Sequence, residues 1–248
     1  MTDWRKRIFL NSVLLGVAGL VVVCLVLLGN WQLRRLEWKT ELIHAVETRA
    51  FGDEVAAPAR AEWPGVTPET HSYLRVRAEG RLLGGHTLFV KALTELGAGF
   101  WMLQPLERPD GEIIWINRGF VPSEYRSSPD RDDAADTDEV TVTGLLRPTE
   151  PGGTLLEKNA PDENLWYSRD TKAFSRQEGL GETAPYFIDA DPAEDVTGYP
   201  RGGLTIINFR NHHLQYALTW YTMALMLVGG VGYVVWLSRR PPTPNDDD

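Results

Sequence analysis

Tyr73-Leu74-Arg75-Val76-Arg77-Ala78-Glu79-Gly80-Arg81 is the stretch that decides how the middle of this chain folds. Successive side chains of an extended segment point to opposite faces, so Leu74, Val76 and Ala78 share one side and Arg75, Arg77, Glu79 and Arg81 the other. The pattern is that of a half-buried strand, and the arginine row reads as a solvated sheet face. Outward from it, His86 to Leu93, Phe100 to Leu106, Glu112 to Phe120, Val140 to Arg147, Tyr186 to Asp189 and Leu204 to Phe209 read as further strands. They are short, divided by Gly, Pro and Asp, and lack intervening helical patterns long enough for parallel crossovers. Pro109-Asp110-Gly111 predicts a hairpin, because proline presets one turn dihedral and glycine supplies a positive one.

Helical pattern is confined to Trp31 to about Arg49 and Thr171 to about Glu178. The expected body is therefore α+β and mainly antiparallel. In the strand around Trp115, residues Ile113, Trp115 and Asn117 alternate with Ile114, Ile116 and Arg118, and Gly119 with Pro122 is expected to break the ladder. Arg118 is either a structural ion-pair partner or a contact toward the membrane side. The structural role is favoured, because an Asn-Arg-Gly strand end fixes a turn through side-chain to backbone bonds.

Beyond this body lie two apolar runs, Ile8 to Leu28 and Leu214 to Leu237, free of charged residues. At about 1.5 Å rise per residue they span roughly 31 and 36 Å, against about 30 Å of hydrocarbon, so both read as transmembrane helices. A cleaved signal peptide is an alternative for the first, given Arg5, Lys6 and Arg7. Its length and the sequence Gly29-Asn30-Trp31-Gln32 fit a cleavage site poorly, and bulky Val23 argues against a lipoprotein site at Cys24. The expected order is an N-terminal segment 1–7, span 8–28, extracytoplasmic domain 29–213, span 214–237 and a disordered tail 238–248. Basic residues flank both sides of the first span, Arg5 to Arg7 before it and Arg34, Arg35 and Lys39 after it, so the positive-inside signal is mixed. Both termini in the cytoplasm is the preferred orientation.

The chain has a net charge of −9, and residues 34–210 alone carry 20 Lys and Arg against 30 Asp and Glu. With no basic stripe, nucleic-acid binding is excluded. Asp130 to Glu139 concentrates carboxylates without the spaced ligands and turn glycine of a calcium loop, and reads as a solvated insertion. The single cysteine, Cys24, lies in the first span, so no disulfide framework exists. There is no Gly-x-Ser-x-Gly elbow, phosphate loop, His-Glu-x-x-His or Cys-x-x-Cys. His44, His71 and His86 are scattered over different elements and read as surface or turn residues.

The membrane boundaries are richer. On a helix His213, Tyr216, Ala217 and Trp220 share one stripe, with small Ala217 expected to leave room for something flat. Trp31, Arg35, Trp38 and Leu42 form a second stripe at the outer end of the first span. An interfacial aromatic belt with snorkelling cations accounts for both without a ligand. A porphyrin would use the same groups: His213 as axial iron ligand, aromatic rings against the macrocycle, and Arg34 or Arg35 toward the propionates.

Three motifs carry a family resemblance: Gly29-x-Trp31-Gln32 with Arg35-x-x-Trp38-Lys39-x-x-Leu42-Ile43; Asn117-Arg118-Gly119-Phe120-Val121-Pro122; and Asn211-x-His213-Leu214-x-Tyr216-Ala217-x-Thr219-Trp220-Tyr221. In order and placement they resemble the Surfeit-locus (Shy-type) cytochrome c oxidase assembly factors. The resemblance implies a two-span, non-enzymatic membrane protein that assists insertion of haem a into the catalytic subunit of the haem-copper oxidase. It implies that His213 is the iron ligand, with His212 in a variable position, and that Arg35 rather than Arg34 is the motif's basic residue. Tyr216, Trp220, Trp31 and Trp38 complete the expected cofactor site, and haem a synthase is a further expected partner beside membrane lipid. The short N-terminus, which includes Asp3, is unlike a mitochondrial presequence, so a bacterial inner membrane with a periplasmic domain is expected. Two rival readings stay open: a scaffold that binds the oxidase subunit without touching haem, and an extracytoplasmic sensor or small-ligand binding domain.

Overall fold

The computed structural model describes residues 2–128, 139–154, 156–192, 198–205, 207 and 209–240. In chain order it contains helix α1 (Thr2–Ala50), strand β1 (Val55–Ala56), helix α2 (Pro68–His71), and strands β2 (Leu74–Leu82), β3 (Leu88–Thr94), β4 (Gly97–Glu107), β5 (Ile113–Pro122) and β6 (Glu139–Pro148). Helix α3 (Thr171–Glu178), strand β7 (Tyr186–Ala190) and helix α4 (His213–Ser238) follow. The chain divides into two compact units, Met1–His44 with Asn208–Asp248, and Ala45–Ile207.

In the second unit all seven strands form one sheet in the order β1-β2-β6-β7-β5-β4-β3. An extra pairing of Arg81 with Glu107 and Leu82 with Leu106 joins β2 to β4, so five strands close on themselves and leave β1 and β3 outside the ring. Closure removes edges that would otherwise expose unpaired backbone. The strand alternation then fills the ring: Val76, Ala78, Leu106, Ile114, Ile116, Leu146, Tyr186 and Ile188 form its core. On β2 the outward residues Arg77, Glu79 and Arg81 are exposed, while Arg75 is half-buried. They are ion-paired, Arg77 with Glu79, Arg81 with Glu107 at 3.0 Å and Arg75 with Asp191 at 2.6 Å.

A second core covers the outside of the ring. Trp115, alternating with the inward Ile114 and Ile116, packs with Leu88, Val90, Leu103, Trp166, Phe174 and Phe187. Helix α3 supplies Phe174, whose ring meets Trp166 and Trp115 edge to face at 4.7 and 5.2 Å. Asp170 starts that helix by accepting from the Ala173 N–H, and Gly179 ends it with a φ of 68°. Strand β5 is thus covered on both faces, which is why its sequence is apolar at nearly every position.

Six of the seven expected strands occur, each end within three residues of its expected place, and the Pro109-Asp110-Gly111 turn joins β4 to β5 as a hairpin. The described residues of Leu204 to Phe209 form no strand. Two pairings are parallel, β1 with β2 and β5 with β7, against the expectation of antiparallel neighbours alone. Strand β5 reaches its parallel neighbour not through a crossover helix but through a long excursion that includes β6 and α3. Nor does β5 stop at Gly119. Met102 pairs with Gly119 and Leu103 with Asn117, so Arg118 is the extra residue of a bulge and the ladder continues to Pro122. The acidic stretch from Asp130, up to but excluding Glu139, and the tail from Pro241 to Asp248 lie outside the described residues.

In the first unit, α1 and α4 are both long and apolar enough to cross a membrane. Their outward side chains are exposed along both apolar runs, as with Leu20, Leu27, Leu225 and Met226. Such surfaces suit a lipid solvent. Helix α1 runs on unbroken past Leu28 to Ala50, as the helical pattern from Trp31 predicts.

Candidate functional site

The least exposed positions of α1 recur at heptad spacing, Ala18, Val22, Leu25, Gly29, Gln32 and Leu36. Those of α4 do the same, at His213, Ala217, Trp220, Ala224, Leu227 and Val231. Alternating steps of four and three keep one stripe facing a partner helix. Small residues let the two backbones approach: Gly29 lies under the Tyr221 ring, and a Cβ there would meet Tyr221 Cε1 at 2.6 Å.

Three polar contacts tie the pair together. Asn211 Nδ2 donates to Thr40 Oγ1 at 3.3 Å, Tyr221 O–H donates to Asn30 Oδ1 at 2.7 Å, and His213 Nδ1 lies 2.8 Å from Gln32 Oε1. An amide oxygen only accepts, so this contact is a hydrogen bond when the His213 ring carries a proton on Nδ1. Among the described residues no hydrogen bond to Nε2 occurs. The backbone is held too, because the His213 N–H donates to Asn211 Oδ1 at 3.4 Å where α4 begins. His212, the residue before it, is exposed.

The other expected site residues separate into two groups. Trp220 is half-buried in the seam with His213, whereas Tyr216 is 54% exposed on the outer side of α4. Ala217 is only 1% exposed, so the space expected beside it is filled by the helix packing. Trp31 and Trp38 are 51% and 48% exposed, and the Arg35 guanidinium lies 3.9 Å above the Trp38 ring. Trp31, Arg35 and Trp38 thus flank the seam rather than enter it, close along the helix to Gln32 and Leu36. Sequence reasoning missed Gln32, Asn30 and Tyr221 as polar links. Extending the heptad from Val22, Leu25 and Gly29 would have found Gln32.

The middle motif serves a different purpose. Asn117 donates from Nδ2 to Asp189 Oδ1 at 2.7 Å and accepts from the Gly119 N–H at 3.2 Å, the side-chain to backbone bond expected of Asn-Arg-Gly. Arg118 donates to Gln104 Oε1 at 3.1 Å within the domain. Gly119 has a φ of 131°, and its Cα faces the backbone of Arg201, which exchanges both hydrogen bonds with Phe120. No other residue type suits that combination of dihedral and contact.

Asp189 is the centre of a buried ionic network. Arg147 reaches Oδ2 at 3.3 Å, Arg169 reaches Oδ1 at 3.4 Å, and Thr205 donates to Oδ2 at 3.0 Å. Glu150 bridges the two arginines. Burial alone would lower the Arg169 pKa, but Asp189 and Glu150 outweigh it and hold the pKa above the ordinary value. His71 and His86 sit apart, one against Thr70 and the other 3.0 Å from Glu178, and no cluster of metal-ligating side chains forms among the described residues.

A model of the SURF1 family matches residues 19–225, which enclose all three motifs. The chain belongs to the SURF1 family. It is 31% identical to rat Surfeit locus protein 1 over 210 residues, 78% of this chain and 66% of that protein, so it spans just under two thirds of the relative. Human Surfeit locus protein 1 is 31% identical over 231 residues, 86% of this chain and 75% of that protein. A SURF1-like protein of Caenorhabditis elegans is 30% identical over 231 residues, 86% and 69% of the two chains. The Surfeit-locus resemblance of the three motifs is therefore a family membership over most of the chain. In this SURF1-family protein the outer two motifs build the helix pair and the middle one builds the β5 bulge.

Proposed function

We propose that this protein is a membrane-anchored assembly factor for cytochrome c oxidase, which takes up haem a and passes it to the catalytic subunit of a haem-copper oxidase. One observation carries the reading: the His213 ring has Nδ1 against Gln32 Oε1 and Nε2 without a hydrogen bond among the described residues. That is the state in which an imidazole ligates iron. Trp220 is its neighbour in the seam, and Trp31, Trp38 and Tyr216 offer exposed aromatic faces to a macrocycle. The Arg35 guanidinium lies over the Trp38 ring, and no hydrogen bond or ion pair of its N–H groups occurs among the described residues, so they are available to propionates.

Haem a is cargo here, and its iron is the Lewis acid to which Nε2 donates; the protein makes and breaks no covalent bond of its own. Hand-over requires an affinity between those of donor and acceptor, and a single protein ligand keeps exchange possible. Haem a synthase is the expected donor. The two apolar helices anchor the protein in a bacterial inner membrane, with residues 1–7 and 238–248 in the cytoplasm and 29–213 on the periplasmic side. Purified full-length protein reconstituted with haem a is expected to give an imidazole-ligated spectrum that His213→Ala loses. Equal binding by the two proteins would remove His213 from the site, and binding by neither would favour a scaffold that never touches haem.

A further inference from the structure

We infer that Gln32 is a positioning residue for His213, selecting the imidazole tautomer that turns Nε2 toward iron and tuning its strength as a ligand. The inference rests on the haem reading above. Neutral imidazole in water prefers its proton on Nε2, the tautomer that cannot ligate through that atom. The 2.8 Å contact with Gln32 Oε1 reverses the preference, because only an Nδ1–H satisfies it.

The geometry makes Gln32 a fixed reference. It lies at a heptad position of α1 between Gly29 and Leu36, is 9% exposed, and sits inside a helix that continues unbroken on both sides. His213 is held at its backbone by Asn211 and at its ring by Gln32, so Nε2 is the one ring nitrogen left to bind. A neutral amide is also a measured choice of acceptor. A carboxylate in its place would pull harder on the Nδ1 proton, give the ring more imidazolate character and strengthen the bond to iron. The amide orients without that increase, which suits a carrier that must release its cargo.

The test uses the full chain in lipid nanodiscs with 15N-labelled histidine, and three variants: Gln32→Leu, Gln32→Glu and His213→Ala. In the haem-free protein, at a pH where the 15N shifts themselves show a neutral ring, the His213 resonances of wild type should report Nδ1–H. Those of Gln32→Leu should move toward Nε2–H. Leucine suits a heptad position facing a partner helix, so helix content should be kept. After loading with haem a, Gln32→Leu should bind about 10- to 100-fold more weakly. Gln32→Glu should restore affinity and shift the haem midpoint potential to lower values, a change that helix packing alone does not produce. An unchanged tautomer in Gln32→Leu would overturn the inference, as would identical potentials in wild type and Gln32→Glu. Haem binding that survives in His213→Ala would instead remove His213 as the iron ligand, and binding by no variant would defeat the haem reading, while the tautomer result still decides what Gln32 does to the ring.

Discussion

His213 and Asp189 are both polar groups held inside a packed element, and they differ in how completely they are satisfied. Asp189 accepts from Asn117, Thr205, Arg147 and Arg169, with both oxygens in use. His213 has one ring nitrogen engaged by Gln32 and the other without a hydrogen bond among the described residues. A buried charge whose valences are all filled locks β5, β6, β7 and the Thr205 segment together. A half-satisfied imidazole keeps a donor atom for a ligand. Counting the partners of each polar atom therefore separates the structural centre from the proposed binding one, although both lie within family motifs or touch them.

The sharpest way to break the contrast is Asp189→Ala. It leaves the two guanidinium groups with Glu150 alone as a shared carboxylate, and should cost about 3–5 kcal/mol, read as a lower urea midpoint. A loss below about 1 kcal/mol would mean that the network is far more solvated than its burial indicates. Gly119→Ala comes next. The side chain is forced to a φ of 131° against the Arg201 backbone, so a loss of at least about 1–3 kcal/mol is expected, again in the urea midpoint.

Tyr186 extends the comparison to pH. It is buried, donates to Pro58 O at 2.7 Å, and burial pushes its phenol pKa well above the ordinary value. The folded pKa is the raised one, so the stability it contributes is complete below about pH 10, the unfolded value, and is lost as pH rises beyond it. Tyr186→Phe should cost about 1 kcal/mol at neutral pH and flatten the alkaline decline measured above about pH 10. The smallest effect belongs to His213→Ala, which removes one interhelical hydrogen bond and should lower stability by only about 0.6 kcal/mol. A large loss of thermal stability there would make His213 a structural residue after all.

Much of the domain could be read from local pattern. The alternation in Leu74 to Leu82 placed Val76 and Ala78 inside and Arg77 and Arg81 outside, because a half-buried strand has only one way to satisfy both kinds of side chain. Strand β5 was harder. With both faces covered, its apolar run shows where a strand lies but not what lies beside it, so its parallel contact with β7 was invisible. The bulge at Arg118 was equally hidden, since a single extra residue is defined by the partner strand and not by its own sequence. Asp189 carries no local sign of its four partners, which arrive from across the domain.

The helix pair divides in the same way. The apolar lengths of Ile8 to Leu28 and Leu214 to Leu237, the three motifs and the place of His213 at a membrane boundary are properties of the sequence alone, because hydrophobic length and residue order need no partner to be read. Which face of each helix meets the other was settled only by packing. The space expected beside Ala217 is filled by the seam, and Gln32, read only as a motif residue and given no role, is the residue that meets His213. The sequence by itself determined which groups are present and how far apart along the chain. Tertiary structure decided which of their hydrogen-bonding valences are filled, because that depends on atoms brought from residues far away in sequence.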